Sequence, residues 1–260
     1  MTLPFLQTRY WRGSSFAAAP GAPPTSSAVT RQDDLVHWWK FDETSGTTSV
    51  DSINPTDSNL EMTLTNATLD SSGMNGYCAL FDGTSDYAGT VNGAVTDVDK
   101  DDPYTLCGWI RQNAAQSGLK VMFGLGLSPT NVGQNGPWFT TNTNKVRGYH
   151  SDASSWRDVT TSGAIDAEAW YFVAMTWDGS TGTGNLKGYI GKVGTDSTIS
   201  STYDTANISS GGPAADPDSA FAGYGSYGYF NGRVDDFRFY NVELSIDEIN
   251  DIYNGGDGDW

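Results

Sequence analysis

Leu35-Val36-His37-Trp38-Trp39-Lys40-Phe41-Asp42 is the stretch that decides the fold class, because its side chains alternate with a period of two. In an extended strand Leu35, His37, Trp39 and Phe41 share one face, while Val36, Trp38, Lys40 and Asp42 share the other. One side is mostly apolar and the other mixed, so the strand needs a second sheet to cover it. The same signature recurs at 78–81, 87–91, 104–111, 119–125, 138–141, 145–149, 170–177, 185–190, 220–222 and 233–240, with Gly, Asn and Asp between the runs. Asp82-Gly83 and Asp178-Gly179 close two of the runs with residues that tolerate positive φ. Such a series predicts an all-β fold, a two-sheet antiparallel jelly-roll sandwich.

One short helix is expected at the C-terminal end. Ser245 can cap it, Glu248 can reach back to the cap, Leu244 can staple onto Ile249, and Asn254-Gly255-Gly256 stops it. No repeat of fixed period and no second apolar-periodic block occurs, so residues 33–260 read as one domain.

Residues 1–32 are different in kind. They hold Arg9, Arg12 and Arg31 and no acid, whereas the whole chain of 260 residues has 14 Lys+Arg against 31 Asp+Glu. That leaves 11 basic and 31 acidic residues, a net −20, for residues 33–260. Residues 13–30 have the Ala, Pro and Ser content of a linker. The segment is therefore read as an extended N-terminal arm, with Phe5, Arg9, Tyr10, Trp11 and Arg12 as the residues that dock on a scaffold. Its opening residues, MTLPFLQTRYWRGSS, lack the apolar run of a secretory signal peptide.

Composition excludes several classes. The 13% aromatic content and 31 glycines suit a turn-rich folded core. No apolar run is long enough for a transmembrane segment, so membrane insertion is not expected. A net charge of −17 has the wrong sign for gripping phosphates, which argues against nucleic acid. Cys78 and Cys107 fit no zinc spacing and are read as half-buried free thiols, with a single bridge between them left open.

Five motifs carry a family resemblance: Trp39-Lys40-Phe41-Asp42-Glu43-Thr44-Ser45-Gly46 followed by Asp51, Ala79-Leu80-Phe81-Asp82-Gly83, the YTLCGWI run of 104–110, Trp170 to Gly179, and Phe230 to Asn241. In this order they closely resemble the LamG-like domains of the concanavalin A-like lectin/glucanase superfamily. The resemblance covers about residues 34–254 and implies a jelly roll whose first and last strands lie close together. It leaves function open, because the fold carries lectins, adhesion modules, pentraxins, glycoside hydrolases and virion proteins.

A hydrolase on this fold needs paired carboxylates, supplied in related enzymes by a Glu-x-Asp-x-x-Glu strand. No such string occurs, and Glu43, Glu61, Glu168, Glu243 and Glu248 are scattered. The two histidines have no nucleophile elbow beside them, and His37 reads as a packed strand residue. Calcium is the one cofactor with candidates. Asp97, Asp99 and Asp101 have the opening spacing of a calcium loop but lack its later Gly and Glu, so an irregular site and a solvated acidic loop are both readings. Asp235, placed by alternation on the inward face with Phe237 and Phe239, must find a cation, an Arg or backbone donors.

Recognition is what remains. Aromatic platforms stack on sugar rings, and Trp138, Tyr149, Trp156 and Tyr227 stand in or beside loops with polar neighbours. The expected function is non-enzymatic: a structural and adhesive protein on a larger assembly, most concretely a virion surface decoration or appendage protein, held through residues 1–30 to a capsid or tail protein and able to bind glycans. The expected location is a virion surface or extracellular. A free carbohydrate-binding module or lectin is the alternative, and a glycoside hydrolase a more remote one.

Overall fold

The computed structural model describes residues 29–126, 136–151, 155–213, 215–223 and 227–258. Phe5, Arg9, Tyr10, Trp11 and Arg12 lie outside them. In chain order the strands are β1 (Leu35–Trp39), β2 (Thr48–Ser49), β3 (Met62–Thr65), β4 (Thr68–Asp70), β5 (Cys78–Asp82), β6 (Tyr87–Gly89), β7 (Tyr104–Gln112) and β8 (Leu119–Gly126). They continue as β9 (Trp138–Asn142), β10 (Lys145–Ser151), β11 (Trp156–Thr160), β12 (Tyr171–Trp177), β13 (Leu186–Lys192), β14 (Asp204–Ala206), β15 (Ser219–Ala222) and β16 (Asn231–Tyr240), with one helix, α1 (Ile246–Tyr253).

Two antiparallel sheets form. The first runs β14-β13-β12-β7-β16-β5-β4, with β1 also on β16, and the second runs β11-β10-β9-β8-β15-β6-β3-β2. The first and last strands pair, Trp38 opposite Arg238 and Trp39 opposite Phe237. Between the sheets lies a core that includes Trp39, Phe81, Phe123, Phe139, Trp177 and Phe237, and each such side chain fully buried contributes about 1.5–3 kcal/mol. Every strand expected from the alternation forms. Five more, β2, β3, β4, β11 and β14, escape a sequence reading because each is short and buries at most two residues. Their neighbours recruit them by ladder pairing.

The helix is as the sequence predicts. Ser245 Oγ accepts from Glu248 N while the Glu248 carboxylate accepts from Ser245 N, and Asn254 ends it in the left-handed region at φ 47°. Leu244, Ile249, Ile252 and Tyr253 pack on Trp109, Phe172 and Tyr189 on the outer face of the first sheet. That face is covered. Cys78 and Cys107 are both buried and unbridged.

Two bulges correct the expected faces. Pairing of β1 shifts between Leu35 and His37, so Leu35 joins Trp38 under the helix, whereas Trp39 and Phe41 enter the inter-sheet core. In β16 the register slips between Asp235 and Arg238, with Asp236 at φ 54°. An extra residue reverses the alternation beyond it, so Val234 and Phe237 face the core and Asp235 does not share their side. Asp235 instead pairs across from Trp109 and accepts from Met74 N at 2.7 Å. Of a cation, an Arg or a backbone donor, it is a backbone donor that meets this carboxylate.

Candidate functional site

With α1 on one outer face, the other is the outer face of the second sheet. Cross-strand register sets one row there: Phe221 opposite Gly124, Gly124 opposite Trp138, Trp138 opposite Tyr149, and Tyr149 opposite Asp158. Val121, Trp138 and Phe221 form a small cluster separate from the inter-sheet core, with Leu119 and Tyr149 against it. Gly124 makes room for it. A Cβ there would meet Trp138 Cβ and lie 2.6 Å from the Pro137 carbonyl oxygen, so only glycine lets Trp138 sit across this strand.

The four aromatic residues singled out from the sequence come together on this face. Trp138 is the middle ring of a stack, 4.5 Å from Tyr149 with planes 12° apart and 5.6 Å from Tyr227 with planes 5° apart. Trp156 stands edge-on to both Trp138 and Tyr149, at 90° and 87°. Such edge and stacked pairs add about 0.5–1.5 kcal/mol each beyond burial. The rings are unequal in access: Trp138 is 1% exposed, Trp156 39% and Tyr227 48%. Among the described residues only Val91, Trp156 and Tyr227 expose a large apolar side chain, and two of these three belong to this one cluster. Trp156 and Tyr227 are thus the open rings of the cluster, and Trp138 is the packed ring beneath them.

Arg147 and Asp158 flank the stack; Asp158 is legible in the sequence as the acid beside Trp156, whereas Arg147 belongs to no motif. The strand ladder brings them together: Arg147 and Tyr149 stand two apart on β10, and Asp158 lies opposite Tyr149 on β11. Arg147 Nε donates to Asp158 Oδ2 at 3.1 Å, its Nη2 lies 2.9 Å from the same oxygen, and its guanidinium carbon is 4.9 Å from the Tyr149 ring centre. Burial holds the Tyr149 hydroxyl above its ordinary pKa. Two buried polar atoms near the stack, Trp138 Nε1 and Thr140 Oγ1, have no hydrogen-bond partner among the described residues. His150, next to Tyr149 in sequence, faces the core instead and bonds the Tyr104 hydroxyl at 2.9 Å.

The acidic candidates are dispersed. Asp97 Oδ1 accepts from His37 Nε2 at 2.9 Å, Asp99 Oδ1 accepts from Asp101 N at 2.9 Å, Asp101 pairs with Lys100, and Asp235 lies under the 73–77 loop. Among the described residues no three His, Cys, Asp or Glu side chains converge as a cage for a metal ion. Of the two readings of the 97–101 run, an irregular calcium site and a solvated acidic loop, the contacts resemble the second: Asp97 is held by His37, Asp99 by the Asp101 backbone and Asp101 by Lys100. His37 goes beyond the packed strand residue expected. Fully buried, it lies between Asp51 Oδ2 at 2.8 Å and Asp97, stacked on Trp39 at 5.1 Å. Burial opposes its charge, but the two carboxylates outweigh burial and raise its pKa to about 9.

No helix among the described residues is long and apolar enough to cross a membrane. The family model described as concanavalin A-like lectin/glucanases superfamily, of laminin G type, matches residues 82–250. Curated protein sequences give no match. Among solved structures, the chain is similar to domain 4 of AbnA, a GH43 extracellular arabinanase from Geobacillus stearothermophilus in complex with arabinotriose, at TM-score 0.59 and 16% identity over 84% of this chain and 97% of that one. It is similar to the ligand binding domain of botulinum neurotoxin serotype D in complex with N-acetylneuraminic acid, at TM-score 0.58 and 12% identity over 86% of this chain and 51% of that one. A Trypanosoma rangeli sialidase gives TM-score 0.59 and 15% identity over 92% of this chain and 36% of that one. The chain thus spans about half the length of the neurotoxin chain and about a third of the sialidase chain. At these identities the likeness is one of fold. The family match and the two-sheet architecture together establish that the chain belongs to the concanavalin A-like lectin/glucanases superfamily as a laminin G-type domain.

Proposed function

We propose that this is a non-enzymatic carbohydrate-binding domain whose binding surface is the aromatic stack on the outer face of the second sheet. One observation carries the reading: Trp156 and Tyr227 are exposed and rest on Trp138 and Tyr149, on the sheet face opposite the one the helix covers. Aromatic faces of this kind bind the CH side of a sugar ring, and exposed rings held by a packed support lose little freedom on binding. The arabinotriose and N-acetylneuraminic acid complexes of the structural neighbours support a saccharide as the ligand class. The non-enzymatic reading is supported by the use of the glutamates: Glu168 pairs with Arg111, Glu243 with Lys187, and Glu248 caps α1. A glycan array probed with the full chain tests it, alongside Trp156→Ala and Tyr227→Ala. Binding that both variants weaken is the expected result, and a blank array overturns it.

The domain is read as displayed on a larger assembly such as a virion, with residues 1–32 as its tether. What supports this is the charge asymmetry, an arm with three arginines and no acid ahead of a domain of net −20. Deleting residues 1–30 should abolish retention on the assembly and leave the domain folded, and unchanged retention would count against the tether.

A further inference from the structure

The cation that lies over Tyr149 is already paired. Arg147 touches one oxygen of Asp158 through both Nε and Nη2 and lies over the Tyr149 ring. Its charge is matched within the pair. A carboxylate- or sulfate-bearing sugar arriving here would have to displace Asp158 or leave its own charge beside a carboxylate, and like charges set side by side cost affinity. The domain's net −20 adds repulsion at longer range, over about 8 Å at physiological salt. The polar groups suit hydroxyls. Among the described residues the contacts of Asp158, from Arg147 and from Thr160 Oγ1 at 2.7 Å, fall on Oδ2, which leaves Oδ1 to accept from a sugar hydroxyl. Beside it the exposed rings of Trp156 and Tyr227 offer apolar faces without charge.

We infer that the stack selects uncharged saccharides, neutral hexose or pentose oligosaccharides with an apolar ring face, and excludes acidic ones, with the Arg147–Asp158 pair as the element that sets this choice. The inference rests on the carbohydrate-binding reading above and narrows it. It separates two chemistries that both occur on this fold, arabinotriose and N-acetylneuraminic acid.

The test is calorimetric titration of the full chain with arabinotriose and cellohexaose as neutral probes and 3′-sialyllactose and trigalacturonic acid as acidic ones, at low and physiological salt. At least one neutral probe should bind about tenfold or more tighter than either acidic probe. Asp158→Asn, which frees the Arg147 charge, should bring the acidic probes to within about threefold of the neutral ones, an advantage that salt then erodes. Acidic probes that bind the unaltered chain as well as neutral ones overturn the inference and leave the carbohydrate-binding reading standing. Silence with all four probes together with a blank array overturns both. The unaltered chain's own preference decides the matter even if Asp158→Asn fails to fold, and a preference that Asp158→Asn and Arg147→Gln both leave unchanged removes the pair as its cause.

Discussion

Trp138 and Tyr227, far apart in sequence, stack with their ring planes 5° apart and their centres 5.6 Å apart. One ring is 1% exposed and the other 48%. Within this pair one ring is packed and the other open, and under the proposed function substitutions at the two should have different effects.

We predict that Trp156→Ala and Tyr227→Ala each weaken saccharide binding by about 1–3 kcal/mol, the range of truncated interface anchors, with unfolding midpoints close to the parent's. Trp138→Ala should instead cost about 3–5 kcal/mol of stability, as emptied aromatic sites do. Urea unfolding followed by titration calorimetry distinguishes the two. A stability loss at Tyr227 as large as that at Trp138 would mean the exposed rings are structural.

Gly124 is the second handle on the site. An alanine there would drive its Cβ against Trp138, fixed by β-ladder pairing, and the Pro137 carbonyl, which accepts from Leu125 N at 2.9 Å. We predict that Gly124→Ala costs about 1–3 kcal/mol in the manner of overpacked cores and also weakens saccharide binding, because Trp138 must shift beneath Tyr227. Unchanged binding in a folded Gly124→Ala protein would show that the stack tolerates movement of its middle ring.

The buried His37 predicts a pH dependence with a definite sign. Its pKa is about 9 folded and near 6.5 unfolded, so its contribution is complete below about pH 6.5 and disappears as pH rises through about 9. Asp51 and Asp97 work from the other side. Burial tends to raise both carboxyls, but the hydrogen bonds and charge of His37 lower them, so their contribution is present above about pH 4 and lost on acidification. Stability should therefore peak between these limits, and His37→Gln should flatten the alkaline limb. Asp51→Asn, which leaves the imidazolium without its fully buried partner, should cost about 3–5 kcal/mol. Thermal melts from pH 5 to 10 on the two variants check this.

Asp235 should behave in the opposite way to a paired acid. Burial first, then the nearby charges of Asp236 and Asp42, push its carboxyl well above the usual range, against the hydrogen bonds it accepts. A raised carboxyl contributes most at low pH and progressively less as pH rises above about 4. Asp235→Asn should then leave stability at neutral pH unchanged or higher, and a chelator should leave the melting midpoint of the parent unchanged. A midpoint that falls with chelator and recovers with calcium would show that an ion holds this carboxylate.

Much of the architecture was legible because it rests on local rules. Alternation located the longer strands, Asp-Gly pairs marked two turns, and Ser245 with Glu248 marked the helix start, each within a few residues of chain. The aromatic site was legible only as a set of residue types. Trp138, Tyr149, Trp156 and Tyr227 could be named as candidates, but the register of β9 on β10 and β10 on β11 made three of them neighbours, and the chain's return after β15 brought the fourth. Asp158 was legible only as the acid beside Trp156, and Arg147 and the Asp51–His37–Asp97 arrangement carried no local signal, since ordinary charged residues acquire meaning only from what faces them.

The sequence by itself determined the strand periodicity, the cap chemistry, the charge imbalance and the family, since these depend on residues near one another in the chain. The tertiary structure alone decided which face stays open, where the two bulges reverse the alternation, and which carboxylate meets which cation. Those outcomes follow from pairing between distant strands, and an alternating strand shifted by one residue presents its opposite face.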